Sequence, residues 1–273
     1  MASCSAHIRP RPAASVAWRP EARRSSRIHP ACPGPVTACA PDCGAADSRA
    51  DNLRVGIHPK RDRLAVVLDE AAAGRFPPAD GGVTILPPPI PRDAGVIGFA
   101  AHAVIFIDAD PAWVTAQLPA GDLAGPLSPA FLQALCEFTG RQAHAVDILC
   151  AASPLSGPPG IALAPEPDLT HPRIARALRY RDDVCAWRAE GGTIVTGRGI
   201  ASRWEASIEV DPAHRRCGLG RTLATAARHL VPDHKPVWAQ IAPANVPSVR
   251  AFLAAGFKPV GAEAHLTHPT LGV

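Results

Sequence analysis

Apolar and polar residues alternate between positions 204 and 210, and the spacing changes to a helical one shortly afterwards. The polar residues Glu205, Ser207 and Glu209 fall on one side of this stretch. The apolar residues Trp204, Ala206, Ile208 and Val210 fall on the other. Strict alternation is typical of a β-strand with two different faces. From 221 onwards apolar residues recur at 223, 226, 227 and 230, which is the spacing of an amphipathic helix. The pattern predicts a strand, a turn and a helix.

The same criteria predict the elements on either side of this unit. Apolar spacing and end signals indicate helices over 172–180 and 245–256, the second closed by Gly256. Short apolar runs indicate strands over 184–188, 193–195 and 236–241, and the first two form a hairpin that turns at residues 190–192. We therefore expect a compact α/β region from about residue 169 to the end of the sequence.

Residues 53–168 predict a second α/β region. Helices are expected over 61–73, over 111–118 with Asp110 as N-cap, and over 128–139 between Ser128 and Gly140. Strands are expected over 83–86, 96–107 and 145–150, and the proline-rich stretch 153–168 predicts a linker. We interpret this region as a degenerate or substrate-specific half. No internal repeat is evident.

Residues 1–52 lack apolar periodicity and are rich in Ala, Arg, Pro and Ser, which predicts a disordered tail. An organellar transit peptide and a start codon placed too far upstream are the alternatives. Residues 1–60 hold nine basic and four acidic residues, so the net charge of +4 belongs to this segment. The remainder gives no indication of nucleic-acid binding.

Cysteine spacing and hydropathy argue against a metal-binding protein and against a membrane protein. None of the eight cysteines forms a C-x-x-C pair and no histidine lies at zinc-finger spacing, so we expect no metal site. The longest apolar run, 96–107, is too short to span a bilayer, and we expect no membrane association. Scattered cysteines, one of them Cys217 in the predicted loop, suit a reducing cytoplasm.

The turn between the predicted strand and helix has the composition of an anion-binding loop. Backbone N–H groups at a helix N-terminus lack internal partners and carry the positive end of the helix dipole. Gly218 and Gly220 would let a phosphate approach the backbone, and Arg215, Arg216 and Arg221 add positive charge. An ordinary tight turn is the alternative. A dinucleotide fold is disfavoured, because Leu223 occupies the third glycine position of its G-x-G-x-x-G motif.

Two motifs in order resemble the GNAT superfamily of N-acetyltransferases. The first is V-D-P-x-x-R-x-x-G-x-G, ending at Gly220, and the second is N-x-x-S-x-x-x-F-x-x-x-G-F, from Asn245 to Phe257. A further match, V-G-A-E, follows at 260–263. The resemblance covers roughly residues 170–266. It implies a mixed, splayed central sheet flanked by helices and a direct transfer of acetyl from acetyl-CoA to a primary amine.

The resemblance also implies which residues hold acetyl-CoA as co-substrate. The pyrophosphate would lie on the loop, and the pantetheine arm would pair with backbone near Ile208 and Val210, where an N–H stabilises the oxyanion. Asn245 would orient the arm, and Phe252 lies where many members have a tyrosine that protonates the leaving thiolate. The full set implied for acetyl-CoA binding is Ile208, Val210, Arg215, Arg216, Cys217, Gly218, Leu219, Gly220, Arg221, Asn245 and Phe252.

The two carboxylates on the polar face of the predicted strand are candidates for the general base. A buried carboxylate is costly unless it is paired or functional. Glu205 is the preferred base and Glu209 the second candidate. The alternative is structural, with Glu205 paired to Arg203 or Arg198 and Glu209 paired to Arg215 or Arg216.

Departures from the family pattern leave a second function open. Phe252 replaces the usual tyrosine, and Gln240 stands where some members have a glutamate on the second strand. Water or His214 could protonate the thiolate, and the only tyrosine of the chain is Tyr180. The alternative to an enzyme is therefore a catalytically degenerate GNAT-fold module that binds acyl-CoA, as a sensor or partner. The stretch after Phe257 is short, so we expect the final hairpin of the family to be abbreviated or completed by another segment.

Overall fold

The computed structural model describes residues 62–269, apart from the side chain of Asp233. The predicted disordered tail, 1–52, lies outside the described residues. Six helices are present in the described part: α1 Arg63–Ala72, α2 Pro111–Gln117, α3 Pro129–Thr139, α4 Pro172–Tyr180, α5 Leu219–Ala227 and α6 Val246–Ala254. Ten strands accompany them: β1 Val83–Leu86, β2 Gly95–Phe99, β3 His102–Phe106, β4 Gln142–Ala152, β5 Ala164–Pro165, β6 Asp182–Ala189, β7 Gly192–Arg198, β8 Trp204–Val210, β9 Val237–Ile241 and β10 Lys258–Thr267.

Local signals explain where the helices begin and end. The side chains of Asp110 and Ser128 accept from the backbone N–H groups of Ala112 and Phe131, and these bonds cap α2 and α3. Gly140 ends α3 in the left-handed conformation with φ 67°. The N-caps predicted at these two helices are thereby confirmed.

All ten strands belong to one mixed sheet with the order β1-β3-β2-β10-β4-β9-β8-β7-β6-β5. The pairs β1–β3 and β8–β9 are parallel and the other seven described pairs are antiparallel. The predicted hairpin of β6 and β7, with its turn at Glu190 and Gly191, is confirmed.

Helices cover both faces of this sheet. On one face α1 packs on Ile97, Phe106 and Trp238, and α4 packs on Val184 and Val195. On the other face α2 and α3 cover β2, β3 and β10, while α5 and α6 cover the strands from β4 to β8. The α1 and α4 face carries the polar side chains of β8, so the predicted two-sided character of that strand is confirmed.

Strands β8 and β9 separate soon after they begin. Only Trp204 with Val237 and Glu205 with Trp238 are in register, so β8 has no β9 partner from residue 206 to 210. The sheet is therefore open on one side of β8, along the stretch where the sequence predicts the site. The predicted fold class, a mixed and splayed sheet flanked by helices, is confirmed.

Residues 62–168 differ from prediction in two places. Residues 96–107, predicted as one strand, form the hairpin of β2 and β3, which turns at Ala100 and Ala101, where φ is 54°. The predicted linker 153–168 contains β5, which pairs with β6. Uniformly apolar runs do not reveal a turn made of alanines, which explains the first error.

Strand β4 lies between β9 and β10 and pairs antiparallel with both. Strand β10 in turn pairs with β2. The sheet is thus continuous across the division that we predict at residues 168 and 169, and that division stays a prediction. Within the described residues, no helix is long and apolar enough to cross a bilayer.

Candidate active site

The loop after β8 brings its glycines to the start of α5. Strand β8 ends at Val210, a short 3-10 turn spans Pro212–His214, and α5 begins at Leu219 with Gly218 as its N-cap. Gly218 has φ 89°, a conformation that most side chains disfavour, and a Cβ there would meet open space. A Cβ on Gly220 would instead lie 3.4 Å from Ala251 of α6 and 3.7 Å from Val210, so this glycine faces α6 and the end of β8.

The backbone of this loop presents free donors to solvent. Among the described residues, the N–H groups of residues 217–220 form no hydrogen bond. Arg215, Arg216 and Arg221 surround them and are exposed, and the Nε of Arg215 donates to the carbonyl oxygen of Val210 at 3.3 Å. The thiol of Cys217 donates to the carbonyl oxygen of His214. Free N–H groups, a helix N-terminus and three guanidinium groups form a site suited to an anion.

The two residues predicted from the second motif have different surroundings. Asn245 caps α6, because its side-chain oxygen accepts from the N–H of Ser248 at 3.3 Å. Phe252 is buried and packs edge-to-face on Phe257, with ring centroids 4.9 Å apart. The ring of Phe252 therefore offers core packing and no proton.

A polar cavity of about 320 Å³ opens on the α1 and α4 face, beside the point where β8 and β9 separate. Strands β4, β8, β9 and β10 form its floor and α4 forms one wall. Its charged and titratable lining side chains are Asp147, Glu205, Glu263, Arg173, Arg176, Arg181, His144, His265 and Tyr180.

Arg203 connects the strands beneath this cavity. Its Nε donates to Glu205 of β8 at 2.8 Å, and its two terminal nitrogens donate to Glu263 of β10 at 2.6 and 3.0 Å. Its guanidinium lies over the ring of Trp238 of β9, 5.4 Å from the centroid. Gln240 of β9 also donates to Glu263. The network spans the sheet from β8 to β10, where the strands diverge.

Glu205, the preferred base, is buried and held by two arginines. Its second carboxylate oxygen accepts from Arg181 at 2.9 Å, besides the bond from Arg203. Burial works against the charged form, but the two guanidinium groups outweigh it and lower the pKa of Glu205. Gly199 permits this arrangement, because a Cβ there would overlap the Glu205 carboxyl group. The bond with Arg203 is one of the two pairings that the structural alternative predicts.

Glu209, the second candidate, lies farther along the same face and is half-exposed. Its carboxylate accepts from the Nε of Arg173 on α4 at 3.0 Å. The partners predicted from the sequence for a structural role, Arg215 and Arg216, lie in the loop instead. Helix α4 thus supplies Glu209 with an arginine, and Arg181, the residue after α4, binds Glu205.

Asp147 and His265 are among the titratable residues of the cavity that were not predicted from the sequence. Asp147 of β4 has no ion pair among the described residues, and burial, with the charge of Glu263 as a second cause, raises its pKa. Burial lowers the pKa of His265 of β10, and its Nε2 is buried without a hydrogen-bond partner. Asp147 interrupts an otherwise apolar predicted strand, a signal that could have identified it. His265 lies beyond the last predicted motif and had no such signal.

Three further residues, Tyr180, His102 and His214, fall inside or outside the cavity. Tyr180 lines it, with its ring under Arg176 and edge-on to His265. His102 is buried and both of its ring nitrogens are hydrogen-bonded, Nδ1 to Asp80 at 2.8 Å and Nε2 to Thr84 at 2.9 Å, so it packs in the core. His214 packs against Gly191 in the loop region. No group of three metal-ligating side chains occurs in the part of the chain that the structure describes.

The splayed sheet, the donor-rich loop before α5 and the adjoining cavity define an α/β protein with an anion-binding loop beside an open sheet edge. Residues 156–257, more than a third of the chain, match the model of the acetyltransferase (GNAT) family. This match confirms the resemblance seen in the two motifs.

The solved structures that match this chain are distant from it in sequence. A GCN5-related N-acetyltransferase from Kribbella flavida is 16% identical, with 79% of this chain and 97% of that chain covered and a TM-score of 0.36. A tandem GNAT protein from the clavulanic acid biosynthesis pathway, without AcCoA, is 18% identical with a TM-score of 0.32. The second comparison covers 61% of this chain and 63% of that chain. No curated protein matches the sequence.

Proposed function

We propose that the protein is an N-acetyltransferase that moves the acetyl group of acetyl-CoA directly to a primary amine. The observation that carries this proposal is the junction of β8 and α5, where free backbone donors of residues 217–220 lie next to the gap between β8 and β9. In a GNAT-family domain, this junction is where the two ends of one extended ligand would bind.

The ligand would lie along β8. Backbone N–H groups of residues 217–220 and the charges of Arg215, Arg216 and Arg221 would bind the pyrophosphate. The open edge at Ile208 and Val210 would pair with the pantetheine arm, and an N–H near Val210 would stabilise the oxyanion. Asn245 would lie near the arm at the start of α6. Leu219 packs into the core beneath the loop and keeps α5 in place.

The transfer needs a neutral amine. A base takes one proton from the substrate ammonium, and the amine nitrogen then attacks the thioester carbonyl carbon. Collapse of the tetrahedral intermediate breaks the C–S bond, and the thiolate of CoA takes the second proton that the nitrogen loses. Glu205 is the proposed base, with Glu209 or water as the substitute. If the nitrogen does not transfer this second proton directly, water or His214 accepts it and passes a proton to the thiolate.

An acyl-CoA-binding module without transfer activity is the second candidate. The observation that favours it is Phe252, whose ring is buried against Phe257 and has no hydroxyl where the family commonly has a tyrosine. Such a module would bind acetyl-CoA at the same loop and would not release CoA when amines are added.

We further propose a reducing, cytoplasmic location, with acetyl-CoA and an amine as binding partners and no nucleic acid or membrane. The support is the scattered spacing of the cysteines, and Cys136, Cys150 and Cys217 carry free thiols.

Calorimetric titration with acetyl-CoA, followed by an amine assay, tests both candidates. The enzyme binds acetyl-CoA and releases CoA, read with a thiol reagent, only when an amine is present. Binding without release for any amine favours the module. If millimolar acetyl-CoA does not bind, both candidates are wrong.

The anion site has its own test, in which Gly218→Asp is compared with Gly218→Asn. Both side chains tolerate a positive φ and have nearly the same shape, so they differ in charge alone. With a carboxylate beside the pyrophosphate, the Asp variant should bind acetyl-CoA about 10–150-fold more weakly than the Asn variant. This factor corresponds to the loss of one charge-assisted hydrogen bond, about 1.5–3 kcal/mol. Equal affinities of the two variants would show that the loop is an ordinary turn.

A further inference from the structure

The charges around the cavity are unequally paired. Six lining side chains are acidic or arginine: Asp147, Glu205, Glu263, Arg173, Arg176 and Arg181. Four of these have partners within salt-bridge distance, since Arg181 binds Glu205, Arg173 binds Glu209 and Glu263 binds Arg203. Asp147 and Arg176 form no ion pair with any described residue. The cavity therefore holds one unpaired negative and one unpaired positive group.

The two unpaired groups lie at different depths. Asp147 is half-buried on β4. It is next to Ile148, which pairs with Ile241 at the end of β9, so Asp147 lies where β9 has already separated from β8. Arg176 is exposed on α4, with its guanidinium 5.3 Å from the centre of the Tyr180 ring. Attraction to the face of that ring holds the cation at the mouth of the cavity.

We propose that the acceptor is a small molecule that carries both an amine and a carboxylate, as an amino acid does, with its ammonium on Asp147 and its carboxylate on Arg176. This inference rests on the proposed acetyltransferase function. The cavity volume of about 320 Å³ suits a small ligand. A guanidinium recognises a carboxylate with paired, charge-assisted hydrogen bonds, which an uncharged substituent cannot form.

The environment of Asp147 agrees with a cationic occupant. Burial and the nearby Glu263 disfavour its charged form and raise its pKa, although the charge of Arg176 across the cavity opposes this shift in part. A bound ammonium would restore the charged form, because an opposite charge at contact distance stabilises it. Glu205 and Glu263 are less available than Asp147 to hold the ammonium, since their oxygens already accept from Arg181, Arg203 and Gln240.

The test compares amino acids with the amines that lack only the carboxylate. L-alanine is paired with ethylamine, L-leucine with 3-methylbutylamine and L-phenylalanine with 2-phenylethylamine, and CoA release gives kcat/KM for each. The carboxylate should raise kcat/KM at least about 10-fold within a pair, the effect of one charge-assisted contact. Arg176→Gln should reduce that ratio by about 10-fold or more. The intrinsic difference in amine basicity is the same for every variant, so a change in the ratio reports Arg176.

Arg179→Gln is the matched control, because Arg179 lies on the exposed side of α4 and does not line the cavity. It should leave the ratio unchanged. Asp147→Asn should lower kcat/KM for both members of each pair, and acetyl-CoA titration verifies that each variant retains its fold. Equal turnover within pairs, a ratio insensitive to Arg176→Gln, or turnover of neither series while acetyl-CoA binds would overturn the inference. Absence of acetyl-CoA binding would instead overturn the proposed function.

Discussion

Whether a carboxylate in the cavity has an arginine partner determines the direction in which its pKa is shifted. Glu205 lies between Arg181 and Arg203, which lower its pKa, whereas Asp147 lacks an ion pair with any described residue and burial raises its pKa. A carboxylate with a lowered pKa is a weak proton acceptor, so the ion pairs of Glu205 count against its role as base. Its position on the face beside the open edge of β8 counts in favour.

Glu205→Gln separates these two considerations. If Glu205 is the base, turnover should fall about 10²–10⁴-fold while acetyl-CoA affinity changes little, and the acid limb of the pH–rate profile should disappear. Steady-state kinetics and calorimetry give the two quantities. Unchanged turnover would restrict Glu205 to holding Arg181 and Arg203, and the role of base would pass to Glu209 or to water.

His265 should make stability depend on pH. Burial lowers its pKa, so the folded state disfavours the imidazolium that forms at the ordinary pKa in the unfolded chain. The neutral imidazole makes its full contribution to the free energy of unfolding above pH about 6.5. This contribution is lost as the pH falls through the lowered pKa, by at most about 1.4 kcal/mol per pH unit. The carboxylates Glu263, Asp93 and Glu205 oppose the shift and Arg203 adds to it.

Urea unfolding of wild type and His265→Gln between pH about 7.5 and about 5 measures the effect. The variant should lose part of the wild-type slope. His229→Gln, which removes a histidine outside the cavity, is the control. A slope that survives His265→Gln unchanged would contradict the assignment.

At the scale of the elements, Arg203 fixes the place where β8 leaves β9. It joins β8 to β10 through Glu205 and Glu263 and lies over Trp238 of β9, and all three partners are buried. Arg203→Met would leave two buried carboxylates without their shared cation, which should lower the free energy of unfolding by about 3–5 kcal/mol. Chemical denaturation measures this, with Arg179→Met as the exposed control.

A compensating variant distinguishes the ion network from simple packing. Arg203→Met combined with Glu205→Gln and Glu263→Gln removes the unpaired charges and should recover part of the lost stability. A loss below about 1 kcal/mol in the single variant, or no recovery in the triple variant, would show that packing rather than charge holds the strands here.

The elements that the sequence predicted well are those with local signals. Capped helices such as α3, between Ser128 and Gly140, depend on residues within their own ends. The hairpin at 95–106 was missed because an Ala–Ala turn between two apolar strands has no distinguishing composition. In the site, the loop before α5 was found from its glycines and arginines. Asp147 interrupts an apolar predicted strand, but that local signal does not place it in the cavity, because its position depends on the long-range pairing of β4 with β9 and β10.

At the scale of the whole molecule, strands from residues 62–168 complete the sheet formed by the strands after residue 168. Strand β4 gives β9 its antiparallel partner from Ala152 to Ile148, and β10 lies between β2 and β4. The stretch after α6 thus forms one strand whose neighbours come from another segment, which is one of the two arrangements expected from the sequence. The GNAT match at 156–257 therefore covers a domain whose sheet needs residues from outside the match.

A fragment of residues 156–273 should consequently fail to fold. It lacks β4 and β2, so β9 loses one neighbour and β10 loses both, and apolar residues such as Trp238 and Leu266, now buried, would face water. Near-UV circular dichroism and thermal melts should show no cooperative transition for this fragment. A chain of residues 53–273 keeps every described contact and should melt cooperatively. If the fragment folds and binds acetyl-CoA, the division predicted at residues 168 and 169 separates two autonomous domains, and β4 is dispensable for the sheet of the second.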